Sequence, residues 1–334
     1  MGGAALVAAG SVLVLLVLAD VLLTTLTLGE GAGPLTRRLL GLLWRGSLRL
    51  RRPGRRSRLL SNSGPALLVV TVAFWLTTTW LGWWLVFLGS GSVRSAETQA
   101  PAGPADVAYY AGYAISTLGT GDFVADSSVW RILTALAGVE GLILVTLSIT
   151  YLLGVVSAVV ARRALATQVH ALGGTAGEIV VEGWTGHGFS PAFTQHLVGL
   201  TTALTGVVQQ HFAYPVLHYF RTASPAESAP VAVALLDDVL LLLDSAVDAG
   251  VAPDASAVRP ARRTVADYVR TVGGLAAGGH PGDPPPCPSV VPLERAGIPL
   301  RSTAERDSAF RSGTDRRRGL RQLVEEAGWS WPGA

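Results

Sequence analysis

Six consecutive residues, Thr117-Leu118-Gly119-Thr120-Gly121-Asp122, carry the chemistry this chain has to offer. That chemistry belongs to the backbone. A short extended run can turn its carbonyl oxygens inward to replace a cation's hydration shell, and glycine permits the unusual dihedrals this needs. The run lies between a short aromatic-rich segment and a long apolar one. Polar, glycine-punctuated backbone at membrane depth persists only where protein buries it or where it lines a water-filled path. Asp122, at the end of the run, would attract cations to its mouth.

The elements around this run are those of a membrane protein with a sizeable soluble part. The chain has 334 residues, 49% hydrophobic and 15% charged, with a mean hydropathy of +0.42. A helix needs about 20 apolar residues to span a bilayer, and three segments qualify. Ala4 to Leu28 is interrupted only by Asp20, Pro65 to Leu88 has no charge, and Val129 to Val160 carries only Arg131 and Glu140. Ala105 to Ser116 is too short to cross and reads as re-entrant. The first segment lacks the positive start of a signal peptide and exceeds the usual apolar length of one, so it is expected to stay as a span.

Orientation follows from arginine. Nine arginines between Arg37 and Arg58, with no acid among them, separate the first two spans, and Arg162 and Arg163 follow the third. The positive-inside rule puts both regions in the cytoplasm, the N-terminus outside, and everything after Arg162 in the cytosol. Trp80, Trp83, Trp84 and Phe87 then fall at the outer end of the second span, where an aromatic belt belongs. Arg45, Arg49, Arg52 and Arg56, spaced four, three and four apart among leucines, read as an interfacial amphipathic helix touching anionic lipid. The net charge of +3 sits mostly on these arginines, which argues for lipid rather than nucleic acid. The one cysteine, Cys287, forms no intrachain disulfide.

Thr117 to Asp122 resembles the selectivity filter of the potassium-channel family, whose usual form is Thr-Val/Ile-Gly-Tyr-Gly-Asp. It departs at Thr120, where tyrosine is expected. The resemblance covers roughly residues 60 to 165, a span, pore helix, filter and span, with one extra N-terminal span. It implies an all-α membrane protein that assembles as a homotetramer, because one pore repeat must be used four times to surround an axis. The implied layout is a first span over 1–30, an arginine-rich interfacial segment over 31–62 and a pore domain over 63–163. Within the last, the outer helix is 65–88, the pore helix 105–116, the filter 117–122 and the inner helix 129–160. A cytosolic helical domain over 164–277 and a linker and tail over 278–334 follow.

The resemblance also implies roles. Thr117 contributes carbonyl and hydroxyl to the innermost ion site, and Leu118, Gly119, Thr120 and Gly121 contribute carbonyls, so K+ is the permeant ion and no other cofactor is expected. The family's filter tyrosine ties to aromatic residues of the pore helix, and Thr120 is too short to do so. Tyr109, Tyr110 and Tyr113 are the aromatic support, with Tyr113 expected to fill the volume Thr120 leaves. Gly141 matches the hinge of the family's inner helices, and it serves equally as a site of close packing together with Gly138. Leu142, Val145, Ile149 and Leu153 turn towards a hydrophobic cavity that gates by dewetting. Glu140, an ionisable group inside a span, is expected to accept hydrogen bonds from Tyr113 or Ser116, and Asp20 to contact a neighbouring helix.

Beyond Arg163, Ser224-Pro225-Ala226-Glu227 reads as a capping box opening an apolar helix, and helices near 190–214, 226–249 and 258–273 form a small bundle. No dinucleotide or cyclic-nucleotide motif appears, so no cytosolic ligand is named. His211 and His218 flank Tyr214-Pro215-Val216-Leu217 and read as core histidines rather than metal ligands. A short basic helix from Arg316 to Glu326 and the Trp329-Ser330-Trp331 end are expected to dock on a neighbouring surface. No nucleophile–base or metal constellation points to an enzyme. The functional expectation is a potassium channel in a bacterial plasma membrane. Its rivals are a nonselective monovalent-cation channel and a non-conducting sensor that keeps the pore fold.

Overall fold

A computed structural model describes residues 2–27, 32–49, 63–274, 282–311 and 313–333. The chain divides into two compact units, one reaching Val155 and the other formed mainly by Val156–Ala334.

The first unit contains α1 (Gly2–Leu26), α2 (Pro34–Arg49), α3 (Ser63–Ser90), α4 (Pro104–Ile115) and the start of α5 (Ser128–Leu172). Three of these, α1, α3 and α5, are long and apolar enough to cross a membrane. Two short strands, β1 (Val93–Ser95) and β2 (Phe123–Ala125), pair antiparallel with Arg94 opposite Val124, a small sheet that the all-helical expectation omits. Helix α5 also runs 12 residues beyond the expected end at 160, because Ala161 to Ala171 contains good helix formers and no glycine or proline.

Helices α1 and α3 meet through glycine. A methyl group on Gly10 would lie 2.5 Å from the Gly82 carbonyl oxygen, and one on Gly89 would lie 2.5 Å from that of Gly3. The buried face of α1 runs through Gly10, Val14, Val17, Val21 and Thr24, alternating steps of four and three. Steps of four and three keep one stripe of α1 against its neighbour, and small residues let the two backbones approach closely.

Asp20, 1% exposed, does more than touch a neighbour. Its carboxylate accepts the backbone N–H of Leu35 at 2.7 Å and of Thr36 at 3.2 Å, and the Thr36 hydroxyl at 2.5 Å. Trp75 Nε1 donates to both Thr36 Oγ1, at 2.9 Å, and Asp20 Oδ2, at 3.3 Å. Asp20 therefore caps the first turn of α2 from another helix, satisfying two of its free N–H groups and setting a negative charge at the positive end of its dipole.

The second unit is built around α8 (Ala229–Leu241), every residue of which is buried. Around it lie α6 (Ala176–Glu182), α7 (Pro191–Ala213), α9 (Ala255–Gly273), α10 (Val291–Arg295), α11 (Thr303–Arg311) and α12 (Thr314–Glu326). The capping box at Ser224 opens a 3₁₀ turn over Pro225–Glu227 rather than the apolar helix. Pro230 is the reason: it has no N–H to donate to the Ala226 carbonyl and its ring would crowd that carbonyl, so the helix cannot run through and restarts at Ala229 after an extended Ser228. Glu227 is used instead in an ion pair with Arg163 at 2.5 Å.

The C-terminal end docks within the chain. Arg316 pairs with Asp237 and Arg317 with Asp238, both at 2.8 Å, while Trp331 donates its indole N–H to Asp238 at 2.9 Å. These two carboxylates sit on the fully buried α8, where an unpaired charge would be costly.

Candidate functional site

Helix α4 starts at Pro104, with the Gly103 N–H held by the Asp106 carboxylate at 3.1 Å. Its last turn is continued by Thr117 N–H to Ala114 O at 3.3 Å and Leu118 N–H to Tyr113 O at 3.0 Å. These bonds anchor the near end of the 117–122 run. The far end is anchored by Asp122, whose carbonyl accepts the Ala96 N–H at 2.9 Å and whose carboxylate accepts the Tyr109 hydroxyl at 3.0 Å.

Between the anchors the backbone is unusual. φ is +58° at Thr117, +58° at Gly119 and +82° at Gly121, with Leu118 and Thr120 on the ordinary negative side. Glycine adopts positive φ freely, whereas a β-branched threonine there is strained by about 1–3 kcal/mol. Among the described residues, no hydrogen bond within the chain reaches the carbonyl oxygens of residues 117 to 121. Leu118 is 69% exposed in the single chain, and open space surrounds Gly119 and Gly121.

An aromatic frame supports the run. Tyr113 donates its hydroxyl to the Phe123 carbonyl, which fixes the return strand β2 and not Thr120. Tyr110 bonds the Thr134 hydroxyl at 2.5 Å, joining α4 to α5, and its ring packs edge-on against Phe87 at 5.0 Å. The indoles of α3 reach inward to two elements, α4 twice and α5 once. Trp80 donates to Ala108 O at 2.9 Å, Trp84 to Pro104 O at 3.0 Å and Trp83 to Glu140 Oε2 at 2.7 Å. The expected aromatic belt is thus also the brace of α4, with Trp83 and Phe87 buried. Glu140, 9% exposed, finds its partner in Trp83 rather than in Tyr113 or Ser116.

Gly141 sits in a tight contact. A methyl group on it would lie 1.9 Å from the Ile115 carbonyl oxygen, and one on Gly138 would lie 3.2 Å from that of Ala114. Close packing of α5 on the end of α4 therefore requires glycine at 141. Leu142, Val145, Ile149 and Leu153 are all exposed in the single chain, Leu142 at 62%. Beside them opens a groove of about 520 Å³ lined by Leu76, Trp80, Gly112, Ile115, Gly141 and Val145.

Other expected residues fall elsewhere. Arg45 and Arg49 belong to α2, and their side chains, like Arg52 and Arg56 altogether, lie outside the described residues. His211 is buried and His218 partly so in the second unit, and among the described residues no three of His, Cys, Asp and Glu gather as a metal set. The α1–α3 glycine seam and the Asp20 cap went unread in the sequence. The seven-residue spacing of Gly3 and Gly10, and of Gly82 and Gly89, was the signal for the first.

Over 326 residues the chain is 33% identical to the "Uncharacterized membrane protein YdjJ" of Bacillus subtilis (strain 168), covering 97% of this chain and 94% of that protein. No protein-family model and no solved structure matches it.

Proposed function

The chain belongs to the family of the membrane protein YdjJ, and from that footing we propose that it is a homotetrameric, potassium-conducting channel whose filter is Thr117 to Asp122. The observation that carries the reading is the alternating sign of φ from Thr117 to Gly121 combined with carbonyls that no described residue claims. Backbone whose φ alternates in sign can turn successive carbonyl groups to one side, as an ion filter requires. Five such carbonyls per subunit, repeated four times around an axis, supply the oxygen cage that a dehydrated monovalent cation needs. The exposure of Leu118 and of the Leu142 to Leu153 face of α5 supports a surface to be covered by neighbouring copies or to line a common cavity. The arginine placement favours a plasma membrane orientation with the N-terminus outside and the second unit cytosolic.

Nonselective monovalent permeation is the second reading. It is favoured by Thr120, whose side chain makes no hydrogen bond among the described residues. Cation flux through purified protein in liposomes, under potassium, sodium and rubidium gradients, separates the two. Potassium flux well above sodium supports a selective filter. Equal flux that sharpens on Thr120→Tyr supports the nonselective reading. No flux from membranes holding intact tetramers sinks both.

A further inference from the structure

The groove beside α4 contains a polar atom that the fold does not use. It holds about 520 Å³, inside the range of about 300–1,000 Å³ usual for small-molecule sites. Its wall comes from α3, the last turn of α4 and α5, all within the first unit. Most of that wall is apolar, and four of its side chains carry a polar atom: Thr77, Thr79, Trp80 and Ser116. Trp80 gives its indole N–H to the Ala108 carbonyl at 2.9 Å, and Ser116 its hydroxyl to the Tyr113 carbonyl at 3.4 Å. Thr77 is exposed.

Thr79 differs from all three. It is 1% exposed, and its hydroxyl has no hydrogen-bond partner. Among the described residues of the first unit, no other buried side-chain nitrogen or oxygen is left in that state. A local remedy exists on the same helix: Thr71 and Thr78 donate to the carbonyl four residues back, at 2.8 and 2.7 Å. Thr79 does not make that bond. Native proteins keep few such atoms without a reason.

Depth narrows the choice of occupant. Thr79 lies 16 residues after Ser63 and 11 before Ser90, the ends of α3. At about 1.5 Å per residue it is about 24 Å from one end and about 17 Å from the other, the middle of a hydrocarbon core about 30 Å thick. The medium that reaches the groove past Leu76, 37% exposed, is therefore aliphatic. A net charge is costly at that depth. A buried water holds its place with about three hydrogen bonds, more than this mostly apolar wall supplies. What remains is a neutral chain with an oxygen for Thr79.

We propose that the groove binds a neutral aliphatic amphiphile whose single hydroxyl or carbonyl oxygen pairs with the Thr79 hydroxyl. Its chain lies against Leu76, Ile115 and Leu144. Ile115 and Ser116 lead directly into Thr117, so an occupant bears on the 117–122 run. That coupling rests on the channel reading; the site itself does not.

The test uses the full-length protein in liposomes and a diazirine-bearing octanol, with adducts mapped by peptide mass spectrometry after photolysis. Adducts should fall on the wall residues of α3, α4 or α5. Excess 1-octanol should suppress them severalfold more than octane, which has the same chain and no oxygen. Thr79→Val keeps the side-chain shape and removes only the unpartnered hydroxyl, so it should fold and cut labelling severalfold. Leu76→Trp fills the groove from its exposed side and should abolish labelling. Octanol should shift potassium flux severalfold in the wild type and in neither variant. Labelling that misses the wall, that octane suppresses as well as octanol, or that Thr79→Val leaves unchanged would overturn the site. So would labelling that appears only after detergent separates the copies, since a neighbouring chain then fills the groove. The expected labelling with flux indifferent to octanol would overturn the coupling alone. The expected labelling in a protein that passes no potassium would remove the channel reading and leave the site standing.

Discussion

Gly141→Ala adds a single carbon to α5, and the structure fixes what that carbon meets. It would lie 1.9 Å from the Ile115 carbonyl oxygen, 2.7 Å from its carbonyl carbon and 3.0 Å from its Cα. These are backbone atoms and cannot turn aside as a side chain could. Reaching ordinary contact requires α4 and α5 to separate locally by about 1 to 1.5 Å. Overpacking of this kind costs about 1–3 kcal/mol. Ile115 is the last residue of α4, so the displacement passes directly to Ser116 and Thr117. The assay is twofold: the thermal midpoint of the purified protein in detergent, and the potassium-to-sodium flux ratio in liposomes. Both should fall, the flux ratio by severalfold. Gly138→Ala, whose added carbon keeps 3.2 Å from the Ala114 oxygen, should give a much smaller loss in each. A Gly141→Ala protein with the wild-type midpoint would refute the contact argument. If its flux changed all the same, Gly141 would act as a hinge and not as a packing site.

Further outcomes follow from the same packing and charge arguments. Gly82→Leu, at the α1–α3 seam where a methyl group already meets Val14 at 2.7 Å, should cost about 1–3 kcal/mol and release α1 to proteolysis in detergent. Arg317→Met strands Asp238 inside α8 with Trp331 as its remaining hydrogen-bond partner among the described residues. It should lower the midpoint of the second unit by the equivalent of about 3–5 kcal/mol, read from a tryptophan-fluorescence melt. Stability against pH should show two opposed slopes. Burial raises Asp238 to about 7, so between the ordinary aspartate range and about 7 the native form holds a proton that the unfolded chain has lost, and stability falls as pH rises. His211 is lowered well below 6.5, so below 6.5 the unfolded chain takes a proton that the native form refuses, and stability falls as pH falls. Asp238→Asn should expose the histidine slope and His211→Phe the aspartate slope, each at most about 1.4 kcal/mol per pH unit. Identical pH profiles in both variants would contradict the assignment.

How much of this was legible depended on range along the chain. The three long apolar helices and the 117–122 run announce themselves locally, through apolar length and glycine punctuation. So does the helix start at Ser190, where a side-chain oxygen caps the first turn, whereas the helix expected near 258 begins at Ala255 behind an Asp254 cap that was not read. Partners far apart in sequence were not legible. Trp83 and Glu140 are 57 residues apart and Arg316 and Asp237 are 79, and no periodicity links them. Asp20 could be read as a costly group inside a span, but its use as a cap depends on α2 folding back against it. The apparent capping box at Ser224 failed for a local reason that the pattern ignored, the proline at 230. The strands β1 and β2, three residues each, carry too little alternation to be distinguished from loop.

The Asp20 cap also imposes an order of events on synthesis. The acceptor lies on α1 and is made first, the two N–H donors of α2 emerge 15 and 16 residues later, and Trp75 completes the node only once α3 exists. With α1 in the bilayer, the arginine-rich helix meets its cap as soon as its first turn leaves the ribosome, before any of the 117–122 run has been translated. Without α1, that turn keeps its free N–H groups until something else satisfies them. Helix α1 thereby becomes a template that sets α2 in place ahead of the long apolar helices that follow it.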